Sequence, residues 1–255
     1  MIDVIIASYN EPNSTLRAVK AIFSQKTKEE LRVTVTDPFP AVGEFLHKHI
    51  KQKNFHFFLD PGEGKSYALN MLFQEYASSN PQDLFVLSDG DVYVSDNSIS
   101  EIVSSFKDSK VGAVTGHPRP IDSRKDKYGY WAHMFFDGID RVRRKLSSQS
   151  KFMECSGYLF AIRKGIILDF PLETSEDSII PYLIWQKGYG IKYVPKAHVY
   201  VKNPSNFKDW TNQKVRNIKA HENLNKIAPN MPRTKSFFNE IKEGESLTRD
   251  TDKQI

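Results

Sequence analysis

One cysteine in 255 residues, Cys155, leaves no intrachain disulfide to staple the fold. Cysteine poverty of this kind fits a reducing, cytoplasmic compartment, where a lone thiol is expected to be a small buried residue. No uninterrupted apolar run approaches the ~18 residues that a membrane-crossing helix needs. No secretory pattern opens the chain either, because Met1-Ile2-Asp3-Val4-Ile5-Ile6 reads directly as a strand. Internal repeats and low-complexity tracts are missing, which excludes solenoids and fibrous arrays. Pro61-Gly62-Glu63-Gly64-Lys65-Ser66 lacks the four residues that a Walker A loop places between its glycines.

What is present is a globular composition, 39% hydrophobic and 12% aromatic, enough for a sizeable core. The net charge of +5 concentrates at Arg141-Val142-Arg143-Arg144-Lys145 and between Lys187 and Lys242. No RNA-recognition or helix-turn-helix signature accompanies it, so no nucleic-acid partner is expected; phosphorylated substrates or anionic lipid suit the charge. Apolar runs alternate with helical periodicity, predicting strands at 2–7, 31–36, 54–59, 84–88 and 111–116, with helices at 13–25, 41–52, 64–78 and 96–107 between them. That rhythm implies βαβ units and a mostly parallel, Rossmann-like sheet flanked by helices. Beyond it come a helix at 127–147, a strand at 152–163, a helix at 176–187, a strand at 191–201 and a basic amphipathic helix at 205–227. A polar tail, 229–255, is expected to fray.

Candidate chemistry gathers where strands end, since open α/β sheets bind ligands beyond their carboxyl ends. The run Leu84-Phe85-Val86-Leu87-Ser88-Asp89-Gly90-Asp91 stops at two carboxylates. Alternate side chains of an extended segment point the same way, so Asp89 and Asp91 can share a divalent ion, while Gly90 lets a phosphate approach. An exposed acidic turn is the other reading. Strand one ends in Ala7-Ser8-Tyr9-Asn10-Glu11-Pro12 and strand two at Asp37, groups able to stack on a base and bind ribose, or equally to cap the next helix. Gly62, Gly64 and Lys65 precede a helix and suit a phosphate. Gly157, after Ser156, allows close passage of an acceptor or marks a bulge. Glu176 and Asp177 open a helix, where acids also favour the dipole. Gln213 and Arg216 share one helix face that can grip a pyrophosphate, or that is simply solvated. His198, alone in a strand, reads as a structural residue or as a metal ligand.

In this order the segments resemble the inverting family 2 glycosyltransferases of GT-A fold, especially the cytosolic catalytic domain of cellulose- and hyaluronan-synthase-like enzymes. The resemblance rests on Ile5-Ile6-Ala7-Ser8-Tyr9-Asn10-Glu11, Gly64-Lys65-Ser66-Tyr67-Ala68-Leu69-Asn70, Ser88-Asp89-Gly90-Asp91, Ser156-Gly157 through Arg163, Ser175-Glu176-Asp177, and Gln213-Lys214-Val215-Arg216, spanning about residues 2 to 220. It implies one GT-A domain over 1–228, with a nucleotide-sugar half (1–117) and an acceptor half (118–228). It also implies that Ser8, Tyr9, Glu11, Asp37, Gly64, Lys65, Asp89, Gln213 and Arg216 hold a nucleotide-diphosphate sugar, expected to be a UDP-sugar. Asp91, with Asp89 near the ribose, the metal or the donor sugar, would hold Mg2+ or Mn2+, and His198 stays a candidate ligand on its own strand position. Asp177 would be the general base supported by Glu176, and Ser156 and Gly157 would border a saccharide or lipid-linked acceptor.

Two departures from the family pattern bear on function. The tryptophan that follows Gln-x-x-Arg in the resembled polymerases is Asn217 here, and the flanking transmembrane helices are absent. The chain is therefore expected to transfer a single sugar, to serve a membrane partner as catalytic subunit of a polysaccharide synthase, or to be a fragment. A sugar-nucleotide-binding protein without transfer activity is the alternative. A nucleotidyltransferase is disfavoured, because residues 8–12 contain no glycine. Helix 205–227 has two readings, a peripheral contact with the inner face of a membrane or an apolar stripe packed on the sheet, and packing is expected.

Overall fold

The computed structural model describes residues 1–234, and all their side chains except those of Asn217 and His221. The elements run β1 (Ile2–Ala7), α1 (Pro12–Phe23), β2 (Leu31–Asp37), α2 (Pro40–His49), β3 (Phe55–Leu59), α3 (Lys65–Glu75), β4 (Leu84–Asp89) and β5 (Tyr93–Val94). They continue with α4 (Ser98–Ser105), β6 (Val111–Pro120), α5 (Lys127–Ser148), β7 (Leu159–Arg163), α6 (Glu176–Gln186), β8 (Gly190–Val201) and α7 (Phe207–Ile227). One eight-stranded sheet has the order β3-β2-β1-β4-β7-β6-β8-β5. β1, β2, β3 and β4 are mutually parallel, and β6 and β8 run the same way as them. β7 is antiparallel to both β4 and β6, and β5 to β8. Apolar clusters cover both faces of the sheet, one built on Val4, Val33 and Val86 and the other on Ile5, Phe85 and Phe160. Burial on both faces is why these strands read as continuous apolar runs.

The reversal of β7 places the second half of the chain against the first. Ser88 at the carboxyl end of β4 pairs with Leu159 at the amino end of β7, and the Ser88 hydroxyl donates to the Tyr158 carbonyl at 2.9 Å. The loop that enters β7 therefore lies at the same sheet edge as Asp89. At the other end of β7, Arg163 donates to the carbonyls of Val111, Pro81, Phe106 and Asp108, and Lys164 pairs with Asp3, which also binds Arg32. That basic pair is an internal anchor.

Two expectations need correction, and the short β5 was not foreseen. The strand predicted from 152 forms a ladder only from 159. Phe152, Met153 and Cys155 are buried, but the Cys155 N–H donates to the Asp177 carbonyl, the Ser156 N–H to Thr115 Oγ1 and the Glu154 N–H to Thr234 Oγ1. The backbone bonds of this run go to α6 and to side chains instead of a neighbouring strand. β5 has only two residues, too short to show a period. On α7, Leu224 alone among the described side chains is fully buried, while Phe207, Val215, Ile218 and Ile227 are exposed, so the apolar stripe does not pack on the sheet as expected. The tail from 235 onward lies outside the described residues.

Candidate active site

A cavity of about 250 Å³ opens at the carboxyl edge of β1, β2 and β4, lined by Ser8, Tyr9, Glu11, Thr36, Pro38, Asp60, Gly62, Gly64, Lys65, Asp89, Gly90 and Asp91. The Tyr9 ring is 71% exposed and rests edge-on against Phe39, leaving its face free to stack on a planar base. Asp60 is fixed by the Thr36 hydroxyl at 3.0 Å and the Gly62 N–H at 2.8 Å. Gly64 caps α3 at φ 97°, a conformation that L side chains rarely adopt. Helix α3 begins one residue later, so its amino end lies at the cavity wall, where an anion is favoured.

The first side chain of α3 divides this cavity from a second one. Lys65 Nζ lies 2.6 Å from Asp89 Oδ1 and 2.5 Å from Glu176 Oε1. Burial works against the ammonium, yet the two carboxylates outweigh it and its pKa is raised. Asp89 is pushed up to about 6, first by burial and then by the like charges of Glu176 and Asp91, although Lys65 opposes the rise. Two carboxylates thus share one ammonium, with Asp91 close enough to Asp89 to add its charge. Asp91 is exposed at the cavity, and among the described residues no protein group bonds its carboxylate. A hard divalent cation suits this oxygen-rich set, and Mg2+ or Mn2+ is commonly held by one or two carboxylates together with substrate phosphates. No group of three or more His, Cys, Asp or Glu among the described residues is arranged to hold a metal ion without such help.

On the far side of Lys65 lies a groove of about 690 Å³ between α5, α7 and the start of α6. Tyr128, Phe135, Phe136, Ile139, Trp210 and Ile218 give it apolar walls, and Asn203, Gln213, Glu176 and Asp177 supply polar groups. Asp177 Oδ2 accepts the Gly157 N–H at 2.9 Å and Oδ1 accepts the Ser175 hydroxyl. A Cβ on Gly157 would stand 3.3 Å from Asp177 Oδ2, so the glycine keeps the carboxylate close to the backbone. The Tyr158 phenol has its pKa raised by burial, then by Asp89, Asp91 and Asp177, with Arg216 opposing. That ring therefore sits in the field of both carboxylate sets.

The structure brings Ser8, Tyr9, Glu11, Gly64, Lys65, Asp89 and Asp91 together around the first cavity, and Gly157, Glu176, Asp177 and Gln213 around the second. Arg216 is exposed on α7 and lines neither. Asp37 is fully buried beneath the loop: its oxygens accept the Asn10 N–H at 2.9 Å and the Phe39 N–H at 2.8 Å, so it shapes the cavity without lining it. Ser156 is buried too, tied to Thr115. Gly90 is required by packing, since a Cβ there would meet Thr15 Oγ1 at 2.7 Å and Ser8 Cβ at 3.0 Å. His198 stands edge-on to His117 at 5.4 Å, in the field of Arg119, Asp140 and Arg144, away from the Asp89 and Asp91 pair. The sequence reading missed Thr36, Asp60, Phe135, Phe136 and Tyr158. Of these, Asp60 was legible as the acid following strand three, equivalent in place to Asp37.

A family model described as "Glycosyltransferase like family 2" matches residues 2–220. The poly-beta-1,6-N-acetyl-D-glucosamine synthase of Staphylococcus aureus strain MSSA476 is 25% identical over 224 residues, covering 84% of this chain and 53% of that protein. The probable glycosyltransferase YdaM of Bacillus subtilis strain 168 is 25% identical over 242 residues, covering 84% and 54% respectively. The chain thus spans about half the length of the curated relatives it matches. Among solved structures, GalNAc-T7 with UDP, GalNAc and Mn2+ superposes with a TM-score of 0.56 at 16% identity, covering 96% of this chain and 54% of that one. This last likeness concerns the fold.

Proposed function

Because the chain belongs to glycosyltransferase family 2, we propose that residues 1–228 act as one metal-dependent, inverting catalytic domain. In this reading 1–117 binds a UDP-sugar and 118–228 binds a saccharide or lipid-linked acceptor. The observation that carries it is the Lys65 bridge. One ammonium links Asp89 of the nucleotide-sized cavity to Glu176, the neighbour of Asp177 in the groove. Two ligands seated on either side would meet at this wall.

Tyr9 stacks on the base, Glu11 and Asp60 face the ribose, and Lys65 with the amino end of α3 faces the diphosphate. Asp91, seconded by Asp89, holds Mg2+ or Mn2+, which when bound neutralises the departing diphosphate. Asp177 accepts the proton of the acceptor hydroxyl while that oxygen bonds the anomeric carbon from the face opposite the phosphate. The bond from that carbon to the phosphate oxygen breaks, the nucleoside diphosphate leaves, and configuration inverts. Ser175 and the Gly157 N–H fix Asp177 for this task. Gln213 lines the groove, and Arg216, which lines neither cavity but acts on the Tyr158 phenol, is assigned to the diphosphate beside it.

Calorimetric titration of UDP-, GDP- and TDP-sugars with Mn2+, followed by NMR of the product's anomeric proton, tests the reading. UDP-N-acetylglucosamine is the first donor to try, given the activity named for the staphylococcal relative. The proposal predicts metal-dependent binding of a UDP-sugar and an inverted product; a retained configuration would refute it.

A further inference from the structure

Glu154 is the charged member of the buried run Phe152-Met153-Glu154-Cys155-Ser156, and it is 1% exposed. A carboxylate is costly to bury, and an apolar residue of similar size often serves stability better. Here it joins two segments distant in sequence. Its Oε1 accepts the Ser178 hydroxyl at 2.8 Å, and its Oε2 accepts the Thr234 N–H at 2.8 Å and the Thr234 hydroxyl at 3.1 Å. Thr234 Oγ1 in turn accepts the Glu154 N–H at 2.9 Å, and Arg233 Nη2 stands 3.9 Å from Glu154 Oε1 as a counter-charge. From Glu154 the path to Asp177 is short. Ser178 is the next residue on α6, the Asp177 carbonyl accepts the Cys155 N–H at 2.8 Å, and the Asp177 carboxylate accepts the Gly157 N–H at 2.9 Å. The run 154–157 has no strand ladder to hold it, since β7 begins at Leu159. Its place against α6 depends on Glu154 at one end and on the bond from the Ser156 N–H to Thr115 Oγ1. Thr234 follows Ala228 and Met231, which are buried in one apolar cluster with Ile179 and Ile180 of α6. Glu154 thus clasps the segment after α7 to the first turn of α6, and both helices line the groove.

We propose that Glu154 is a positioning residue: by clasping Ser178 and Thr234 it fixes the run 154–157 on α6 and thereby the orientation of the Asp177 carboxylate. Its role in transfer rests on the glycosyltransferase reading; the clasp itself does not. What the clasp requires is hydrogen bonding more than charge. A glutamine at 154 keeps an acceptor for the Thr234 N–H and hydroxyl, and its amide can donate to Ser178 Oγ. A leucine of similar volume leaves Ser178 and the Thr234 N–H unpaired.

Amide hydrogen exchange and transfer kinetics of the full chain carrying Glu154→Leu, Glu154→Gln or Ser178→Ala test it, with a cooperative urea transition reporting that each variant is folded. In Glu154→Leu the Cys155 and Gly157 amides should lose protection while those of β1 and β4 keep it. Its kcat should fall by as much as about 10²-fold, the cost of a reacting group misplaced by about 1 Å. Donor KM should stay at the parental value, because Glu154, Ser178 and Thr234 line neither cavity. Glu154→Gln should keep both protection and kcat. Ser178→Ala removes only the link to α6 and should fall between the two; it decides the matter by the same readings if Glu154→Leu does not fold. Parental protection of Cys155 and Gly157 in the folded variants overturns the proposal. So does a kcat that stays parental when protection is lost, or a loss in Glu154→Gln as large as in Glu154→Leu. A parent chain without transfer activity would strike the glycosyltransferase reading alone, and the exchange data would still judge the clasp.

Discussion

Lys65 is the residue on which both cavities depend, because it is the counter-ion shared by Asp89 and Glu176. Lys65→Met leaves Asp89 and Glu176 without it. Since the Lys65 and Asp89 side chains keep 30% and 27% of their exposure, solvent screening reduces the penalty to about 1–2 kcal/mol. A lower urea midpoint should report it, and Mn2+ should raise the melting temperature of the variant more than that of the parent. His117 offers a separate test. Burial pushes it down to about 4, with His198, Arg119 and Arg144 adding to the effect and Asp140 opposing it. A histidine whose folded pKa lies below its ordinary 6.5 binds fewer protons in the native state than in the unfolded one. Its contribution is present above pH 6.5 and is lost as pH falls toward 4. Denaturant titrations across that window should show stability falling in the parent and falling less in His117→Phe. The acids of the site were only partly legible, for a physical reason. Asp37 ends β2 and Asp60 follows β3, and sequence cannot tell that one is fully buried beneath the loop while the other lines the cavity.

The same limit appears for helix α7, whose period was readable and whose orientation was not. Leucine and isoleucine interleaved with lysine give an amphipathic pattern whether the apolar side meets the sheet or a lipid. Leu224, 0% exposed and part of the cluster around Phe160, is the residue that fastens the helix. Leu224→Ala should cost about 2–5 kcal/mol, whereas Val215→Ser should stay within about 0.5 kcal/mol. Urea denaturation of the two variants checks the contrast, and equal losses would mean that the outer face is packed after all. The segment 152–156 shows another kind of limit. Its apolar run reads as strand, but its N–H groups go to the Asp177 carbonyl in the first turn of α6 and to the Thr115 and Thr234 hydroxyls, and a side chain pattern does not reveal where backbone bonds go.

For the whole molecule, the alternation of strands and helices in the first half dictated the parallel sheet, and the ends of those strands announced the first cavity. Strand direction in the second half was not legible, because periodicity is blind to direction. Yet the reversal of β7 is what sets Gly157, and through it Asp177, beside the Asp89 edge. The proposed function needs that juxtaposition, with a donor held at one edge and a base reaching it from the groove. Asp177→Asn tests it most directly, with UDP-sugar affinity and transfer rate measured on the same preparation. Donor affinity should be unchanged while transfer falls about 10²–10⁴-fold, the range expected when a general base is lost. Transfer at the parental rate with Asn at position 177 would contradict the account.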